Sequence, residues 1–292
     1  MYEAFYHLQA KPFQLTSDPR FFYSSGGHRR AMAYLVYGVH QGEGFIVITG
    51  EIGAGKTMLA ATLAHNVASR NLVLAKVVST NLEADDMVRM VAASFGLPHE
   101  NSKSALLNAV EQFLLACHRQ GKRALLVVDE AQNLPARSVE ELRMLSNFVS
   151  ADKPLLQTFL LGQPEFRKTL ESPAMEQLRQ RVIASCHLGP MSDTDTAAYI
   201  LHRLKAVGWH EDPSFSREAF AAIHQHTGGI PRKINILCDR LLLLSRLDEK
   251  HAITVNAVAV VANELQREFA PAAESDAPVA LRPPAGCGFR TT

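Results

Sequence analysis

The sequence predicts an α/β fold, an open three-layer sheet of five parallel strands completed by a small helical domain. Three observations predict it. From Gly44 onward, short apolar runs rich in β-branched residues alternate with stretches of helical periodicity, the signature of strands joined by crossover helices. The run Gly50-Glu51-Ile52-Gly53-Ala54-Gly55-Lys56-Thr57 follows the first of these strands directly and opens a helix. After Pro190 the strand signal stops and only helical periodicity remains.

The strands are expected at 45–49, 72–78, 124–129, 155–161 and 182–188, with helices between them at 56–69, 85–95, 103–119, 137–149 and 165–180. Four further helices are expected at 193–207, 215–226, 230–246 and 255–268. In the third of these, Ile234, Leu237, Leu241 and Leu244 repeat at helical spacing, one apolar stripe of a packed helix. Ahead of the sheet, nine of the 21 aromatic residues fall within the first 37 positions, so this segment is too apolar to stand free and is expected to pack on the core. Pro12 and Pro19 interrupt it before a helix near His28. From Ala270 the chain turns to Ala, Pro and scattered charge, a composition that cannot build a core and reads as a disordered tail. The resulting division is an arm at 1–40, a nucleotide-binding core at 41–190, a helical lid at 191–268 and a tail at 269–292.

Composition sets the outer limits. With 292 residues, 47% of them hydrophobic, the chain can bury a sizeable core and exceeds one typical domain. A net charge of +1, with basic residues clustered no further than pairs such as Arg29-Arg30, Lys122-Arg123 and Arg232-Lys233, argues against a nucleic-acid footprint. Cys117, Cys186, Cys238 and Cys287 lie far apart and form no metal-ligand spacing, which points to a reducing compartment without structural zinc. No apolar run approaches the length of a membrane span, and the first residues lack the pattern of a signal peptide. A cytoplasmic location is therefore expected.

Two motifs carry the chemistry. Gly50 to Thr57 fits G-x-x-x-x-G-K-[ST]: glycines let backbone N–H groups close around phosphate oxygens, and the helix N-terminus adds a favourable dipole. Lys56 is placed to reach the β- and γ-phosphates and Thr57 to ligate Mg²⁺, with Met58 following inside the helix. The alternative is a glycine-rich turn without a ligand. Leu125-Leu126-Val127-Val128-Asp129-Glu130 delivers two adjacent carboxylates at the carboxyl end of a strand, where open α/β sheets hold their ligands. Asp129 suits the Mg²⁺ shell, and Glu130 suits orienting and deprotonating a water aimed at the γ-phosphate. Their plain reading is an acidic turn before a helix. A glutamate directly after the metal-binding aspartate favours hydrolysis over transfer to a second substrate.

Three further positions are weaker signals. Gln163, after the fourth strand, stands where a polar side chain reaches between the carboxylates and the γ-phosphate, or is a turn residue. Arg179 and Arg181 end a helix before the fifth strand, either as dipole partners or as cations offered to a neighbouring subunit's nucleotide. Arg232, after Gly228-Gly229-Ile230-Pro231, opens a helix whose dipole it opposes, which an anion such as the γ-phosphate explains.

In that order, GEIGAGKT, LLVVDEAQ, LLGQPEF, QLRQRV and GGIPRKIN resemble the AAA+ ATPases. Residues 1 to about 268 look more closely like the ExeA-type general secretion pathway ATPases, and among them the ATPase encoded beside exosortase (PEP-CTERM) and exopolysaccharide export genes. The opening MYEAFYHLQAKPFQLTSDPRFFYSSGGHRRAMAYL is similar to that group's first segment. The resemblance implies that Gly50 to Thr57 is Walker A and that Asp129 and Glu130 form Walker B. It implies Gln163 as sensor 1, Arg181 or Arg179 as the arginine finger and Arg232 as sensor 2. Adenine is then held between the N-terminal segment, the phosphate loop and the lid, near His28 and Arg29. It also implies ATP and Mg²⁺ as ligands, and a ring or filament of identical subunits. The partners implied are inner-membrane export components, reached through protein contacts. ExeA-type proteins can continue into a transmembrane helix and a cell-wall-binding region, and this sequence shows neither. Two other roles fit the same core motifs: a DNA-dependent helper of the transposition or origin-recognition type, and a slow nucleotide switch acting as a scaffold.

Overall fold

The computed structural model describes residues 1–16, 18–67, 71–78, 83–99 and 102–269. Five strands, β1 (Phe45–Gly50), β2 (Leu72–Val78), β3 (Arg123–Asp129), β4 (Leu156–Gly162) and β5 (Val182–Leu188), form one parallel sheet in the order β2-β3-β4-β1-β5. Each lies within one residue of its expected position. The order places β1 between β4 and β5, with Val47 opposite Leu160 and Ser185. Side chains alternate between the two faces, so Phe45 and Val47 join one apolar cluster and Ile46 and Ile48 the other. Both faces are covered by helices, which is why β1, β3 and β4 read as continuous apolar runs. One cluster meets helices Ala84–Ser94, Lys103–Arg119 and Ala136–Leu145, and the other meets Gly26–Gln41 and Lys56–Val67.

Two helices are shorter than the periodicity suggests. The expected helix at 137–149 ends at Leu145, and the chain turns through Ala151 and Asp152, both left-handed, between short strands Val149–Ser150 and Lys153–Pro154. The expected helix at 165–180 breaks into Glu165–Glu171, a 3₁₀ turn Pro173–Met175 and Glu176–Arg179. Pro173 lacks the N–H that would continue the ladder.

After β5 the chain forms four helices, Asp193–Lys205, Arg217–Thr227, Pro231–Leu247 and Val255–Phe269. Ser192 and Ser216 cap the first two by accepting backbone N–H bonds, and left-handed Gly228 ends the second. Ile234, Leu237 and Leu241 are buried as a stripe, with Leu244 partly buried at its end. A parallel pair of two-residue strands, Ser214–Phe215 and Ala252–Ile253, ties the helices together and was not anticipated.

The aromatic arm packs differently from expectation. Tyr2, Tyr6, Leu8, Phe13 and Phe21 share their cluster with Ile200, Leu241 and other residues of the four-helix unit, whereas Ala31, Leu35 and Val39 belong to a sheet-face cluster. Polar contacts hold the arm to the same unit: Tyr6 donates to the Lys250 carbonyl at 2.9 Å and Gln9 N to the Val207 carbonyl at 2.9 Å. The helix Gly26–Gln41 packs on the sheet, with Phe22 beside it. Of the expected tail at 269–292, Phe269 ends the last helix, and the remainder, Cys287 included, lies outside the described residues.

Candidate active site

At the carboxyl end of β1 the chain leaves the sheet through residues 50–55, and helix Lys56–Val67 begins. The glycines are required here. Gly53 and Gly55 have φ of 82° and 97°, in the left-handed region. A Cβ on Gly53 would overlap the side chain of Arg232, and one on Gly55 would lie 2.9 Å from His28 Nε2. The loop is thus pressed between the lid and the helix Gly26–Gln41. Lys56 is buried and donates to the carbonyls of Gly50 at 2.8 Å and Glu51 at 3.1 Å, so its ammonium spans the mouth of the loop. Burial pulls its pKa below the ordinary lysine value, opposed by Glu130, Asp129, Glu51 and Glu165.

The two carboxylates stand at the end of β3, with β4 between it and β1. Thr57 Oγ1 donates to Asp129 Oδ2 at 2.7 Å, and Lys76 Nζ lies 3.3 Å from the same oxygen. Asp129 is buried, and its Oδ1 accepts the Glu130 N–H at 3.1 Å. Glu130 itself is left-handed, with φ 55° and ψ 40°, a conformation that favours glycine and that non-glycine residues adopt at functional turns. It ends β3 abruptly and turns its side chain toward β4. There Oε2 accepts from Gln132 Nε2 at 2.6 Å and from Gln163 Nε2 at 3.2 Å, while Gln132 Oε1 accepts the Gln163 N–H at 2.9 Å. Gln163 thus touches the Glu130 carboxylate.

A cavity of about 280 Å³ runs from this loop into the cleft between sheet and lid. Gly53, Gly55, Lys56, Thr57, Met58 and Glu130 line one wall, Arg232, Pro231, Asn235 and Tyr199 the other. Gln14, Leu15, Thr16, Phe21, Phe22 and Tyr23 of the arm close the end. Arg232 is drawn over the loop, its N–H donating to the Gly53 carbonyl at 3.2 Å. His28 is buried beneath Gly55 with its Nδ1 2.7 Å from Ser25 Oγ, and burial, opposed by a backbone hydrogen bond at Ala54 and by Asp195, lowers its pKa. Arg29, expected beside it, is exposed, bonds the Ser24 carbonyl at 2.6 Å and does not line the cavity.

Arg179 and Arg181 stand apart. Arg179 donates to the Leu170 carbonyl at 2.8 Å and Arg181 to Ser146 Oγ at 2.7 Å, and neither lines the cavity. The Arg181 carbonyl accepts the N–H of Phe45, the first residue of β1, so this arginine lies at the end of the sheet opposite Gly50. Within one chain it is remote from the phosphate loop.

Several lining or supporting residues escaped the sequence reading: Gln132, Lys76, Tyr199, Arg203 and Asn235. For Arg203 a signal existed. It falls on the buried face of a helix, alongside Thr196, Tyr199, Ile200 and Leu204. Gln132 carried none, because its role depends on the left-handed turn at Glu130.

The family described as "AAA domain" matches residues 39–170. General secretion pathway protein A of Aeromonas hydrophila is 36% identical over 267 residues, 91% of this chain and 48% of that protein, so the chain spans about half the length of this relative. Among solved structures, the Aeropyrum pernix ORC2 protein with ADPNP and ADP superposes with a TM-score of 0.67 at 14% identity, over 88% of this chain and 72% of that one. Drosophila ORC bound to DNA gives 0.66 at 14%, over 87% and 64%. The Thermotoga maritima RuvB Holliday junction branch migration motor gives 0.54 at 17%, over 82% and 68%. With a parallel five-stranded sheet, these neighbours and that domain match, the chain has the P-loop AAA+ α/β fold.

Proposed function

We propose that the chain is a Mg²⁺-dependent ATPase of the ExeA type, coupling its nucleotide state to the assembly or operation of a bacterial secretion or exopolysaccharide export system. The observation that carries the hydrolytic reading is the chain of contacts from Thr57 through Asp129 to a Glu130 carboxylate held by Gln132 and Gln163. The donors at Thr57 and Asp129 are a hydroxyl and a carboxylate, hard oxygens of the kind Mg²⁺ takes alongside phosphate oxygens and water. Mg²⁺ held by Thr57 and Asp129 would offset the negative charge of the phosphate oxygens.

The remaining chemistry belongs to the side chains. Lys56 exchanges two neutral carbonyl partners for phosphate oxygens, a charge-assisted contact and hence stronger. Glu130, fixed through Oε2, keeps its carboxylate free to accept a proton from the attacking water. Arg232 is the second residue of helix Pro231–Leu247 and lies over the loop, so a γ-phosphate would draw core (41–190) and lid (191–268) together. Arg181 and Arg179, remote from their own loop, serve as cations for the site of a second copy, which makes a ring or filament the working form. The export role rests on the kinship with General secretion pathway protein A, and the exosortase (PEP-CTERM) and exopolysaccharide association on the opening segment. Among the described residues no helix is long and apolar enough to cross a membrane. We assign the chain to the cytoplasm, with contact to the inner membrane through a partner.

Glu130→Gln tests the mechanism. ATP binding is retained and phosphate release falls by about a hundredfold or more; normal release from this variant refutes the assignment. Locked with ATP, the same variant should capture inner-membrane export components. A DNA-dependent helper, favoured by the fold shared with origin-recognition proteins, would instead show ATPase stimulation by duplex DNA that falls steeply with salt. A slow switch would show near-zero activity at every protein concentration.

A further inference from the structure

A lysine outside both motifs stands on an oxygen of the metal site. Lys76, on β2, lies opposite Val127 of β3, so it shares a sheet face with Asp129 two residues further on. Its Nζ is 3.3 Å from Asp129 Oδ2, the oxygen that also accepts the Thr57 hydroxyl at 2.7 Å. The other oxygen, Oδ1, accepts the Glu130 N–H at 3.1 Å. Both oxygens of this carboxylate are thus engaged. The partners of the ion pair differ in burial: the Asp129 side chain is 6% exposed and that of Lys76 42%. Asp129 is fixed in the site, whereas the ammonium reaches it from water and is free to return there.

Lys76 does not duplicate the loop lysine. Lys56 Nζ is engaged by the carbonyls of Gly50 and Glu51, and among the described residues Lys76 is the one cation paired with Asp129. Nor does Lys76 line the cavity, so it acts on the carboxylate and not on a nucleotide. A buried carboxylate needs a compensating charge, and the ammonium supplies it. The same oxygen, with Thr57 beside it, is the one assigned above to Mg²⁺. Two cations at one carboxylate oxygen repel, and in a partly dry site they do so several times more strongly than in bulk water.

We propose that Lys76 competes with Mg²⁺ for Asp129: by pairing with Oδ2 it sets how strongly the metal tightens nucleotide binding and how much Mg²⁺ the site requires. This rests on the nucleotide and metal reading of the site and adds its regulation. Lys76 works through Asp129 and is a positioning residue. Exchange of one counter-charge for another keeps the carboxylate paired throughout. The bond from Thr57 to Asp129, which ties helix Lys56–Val67 to β3, therefore survives whichever cation is present. The cost is that part of the free energy of metal binding goes into releasing the ammonium.

Calorimetric titration with the β,γ-imido analogue of ATP, once in EDTA and once in excess Mg²⁺, gives the factor by which the metal tightens binding. In Lys76→Met, which keeps the aliphatic stem and removes the charge, this factor should rise at least about fivefold over the native chain. Lys76→Gln, with a polar tip suited to a half-exposed position, should do the same and serves if Lys76→Met does not fold. Lys76→Arg restores the charge and should stay within about twofold of the native factor. A lysine that only stabilises the fold would change both affinities alike and leave the factor where it was. One that binds phosphate together with the metal would make the factor smaller on removal. An unchanged or smaller factor in the neutral variants overturns the inference, as does a rise in Lys76→Arg equal to that in Lys76→Met. Either result leaves the nucleotide reading standing. Failure of the native chain to bind the analogue in both conditions overturns that reading itself, and this inference with it.

Discussion

Replacing Gly53 with alanine separates the two walls of the cleft. The residue has φ of 82°, where an L side chain costs about 1–2 kcal/mol. Its Cβ would overlap that of Arg232 and lie 3.2 Å from Cδ and 3.3 Å from Cγ. The overlapped atom is fixed to the backbone of helix Pro231–Leu247, so a rotamer change cannot relieve the clash and the lid must withdraw. Withdrawal removes Arg232 from the γ-phosphate, and a hydrogen bond to a charged group is worth roughly 1.5–3 kcal/mol. ATP should therefore bind about ten- to a hundredfold more weakly. Gly121→Ala is the control: φ is 69° there too, but nothing lies within 4 Å of the new Cβ. It should melt lower by about 2–8 °C through backbone strain alone, with nucleotide affinity unchanged. Thermal melts with and without nucleotide, together with calorimetric titration, measure both. If Gly53→Ala melts like Gly121→Ala and binds ATP within about twofold of the native chain, the loop and lid are not coupled as described.

Three other perturbations follow from the same geometry. Gln132→Ala removes the shorter of the two bonds that hold Glu130 Oε2, so turnover should fall about tenfold with ATP affinity retained; a loss of affinity with unchanged turnover would contradict the positioning role. Arg181→Ala and Glu130→Gln, each inactive alone, should recover part of the activity when mixed, because each supplies what the other lacks across a subunit boundary, and mixing without recovery sinks the shared site. Burial holds the His28 imidazole below its ordinary pKa. Between the folded value and about 6.5, the unfolded chain therefore binds a proton that the folded chain refuses, and stability falls as pH falls. From about pH 7.5 to 5.5 the native chain should lose more in melting temperature than His28→Gln, and equal losses would count against this placement of His28.

The sheet was legible because its signals are local. Strands buried on both faces appear as apolar runs wherever they sit, and Gly50 to Thr57 announces a phosphate loop since its glycines, lysine and threonine must be consecutive to do their work. The pair Asp129 and Glu130 is adjacent in the chain for the same reason. What tertiary structure decided lies in contacts between segments far apart in sequence. Periodicity could not show that the aromatic arm belongs to the lid, because an apolar stripe records that a face is buried and not what buries it. Nor could it show that Glu130 turns left-handed toward Gln132 and Gln163, since φ at one residue is set by the competing demands of β3, the 3₁₀ turn after it and the end of β4. Arg203 is the sharpest case. Its spacing from Tyr199 and Ile200 puts it on the buried face of its helix, but only the folding of residues 14–21 over that helix, nearly two hundred positions later, sets Gln14 and Phe21 against it.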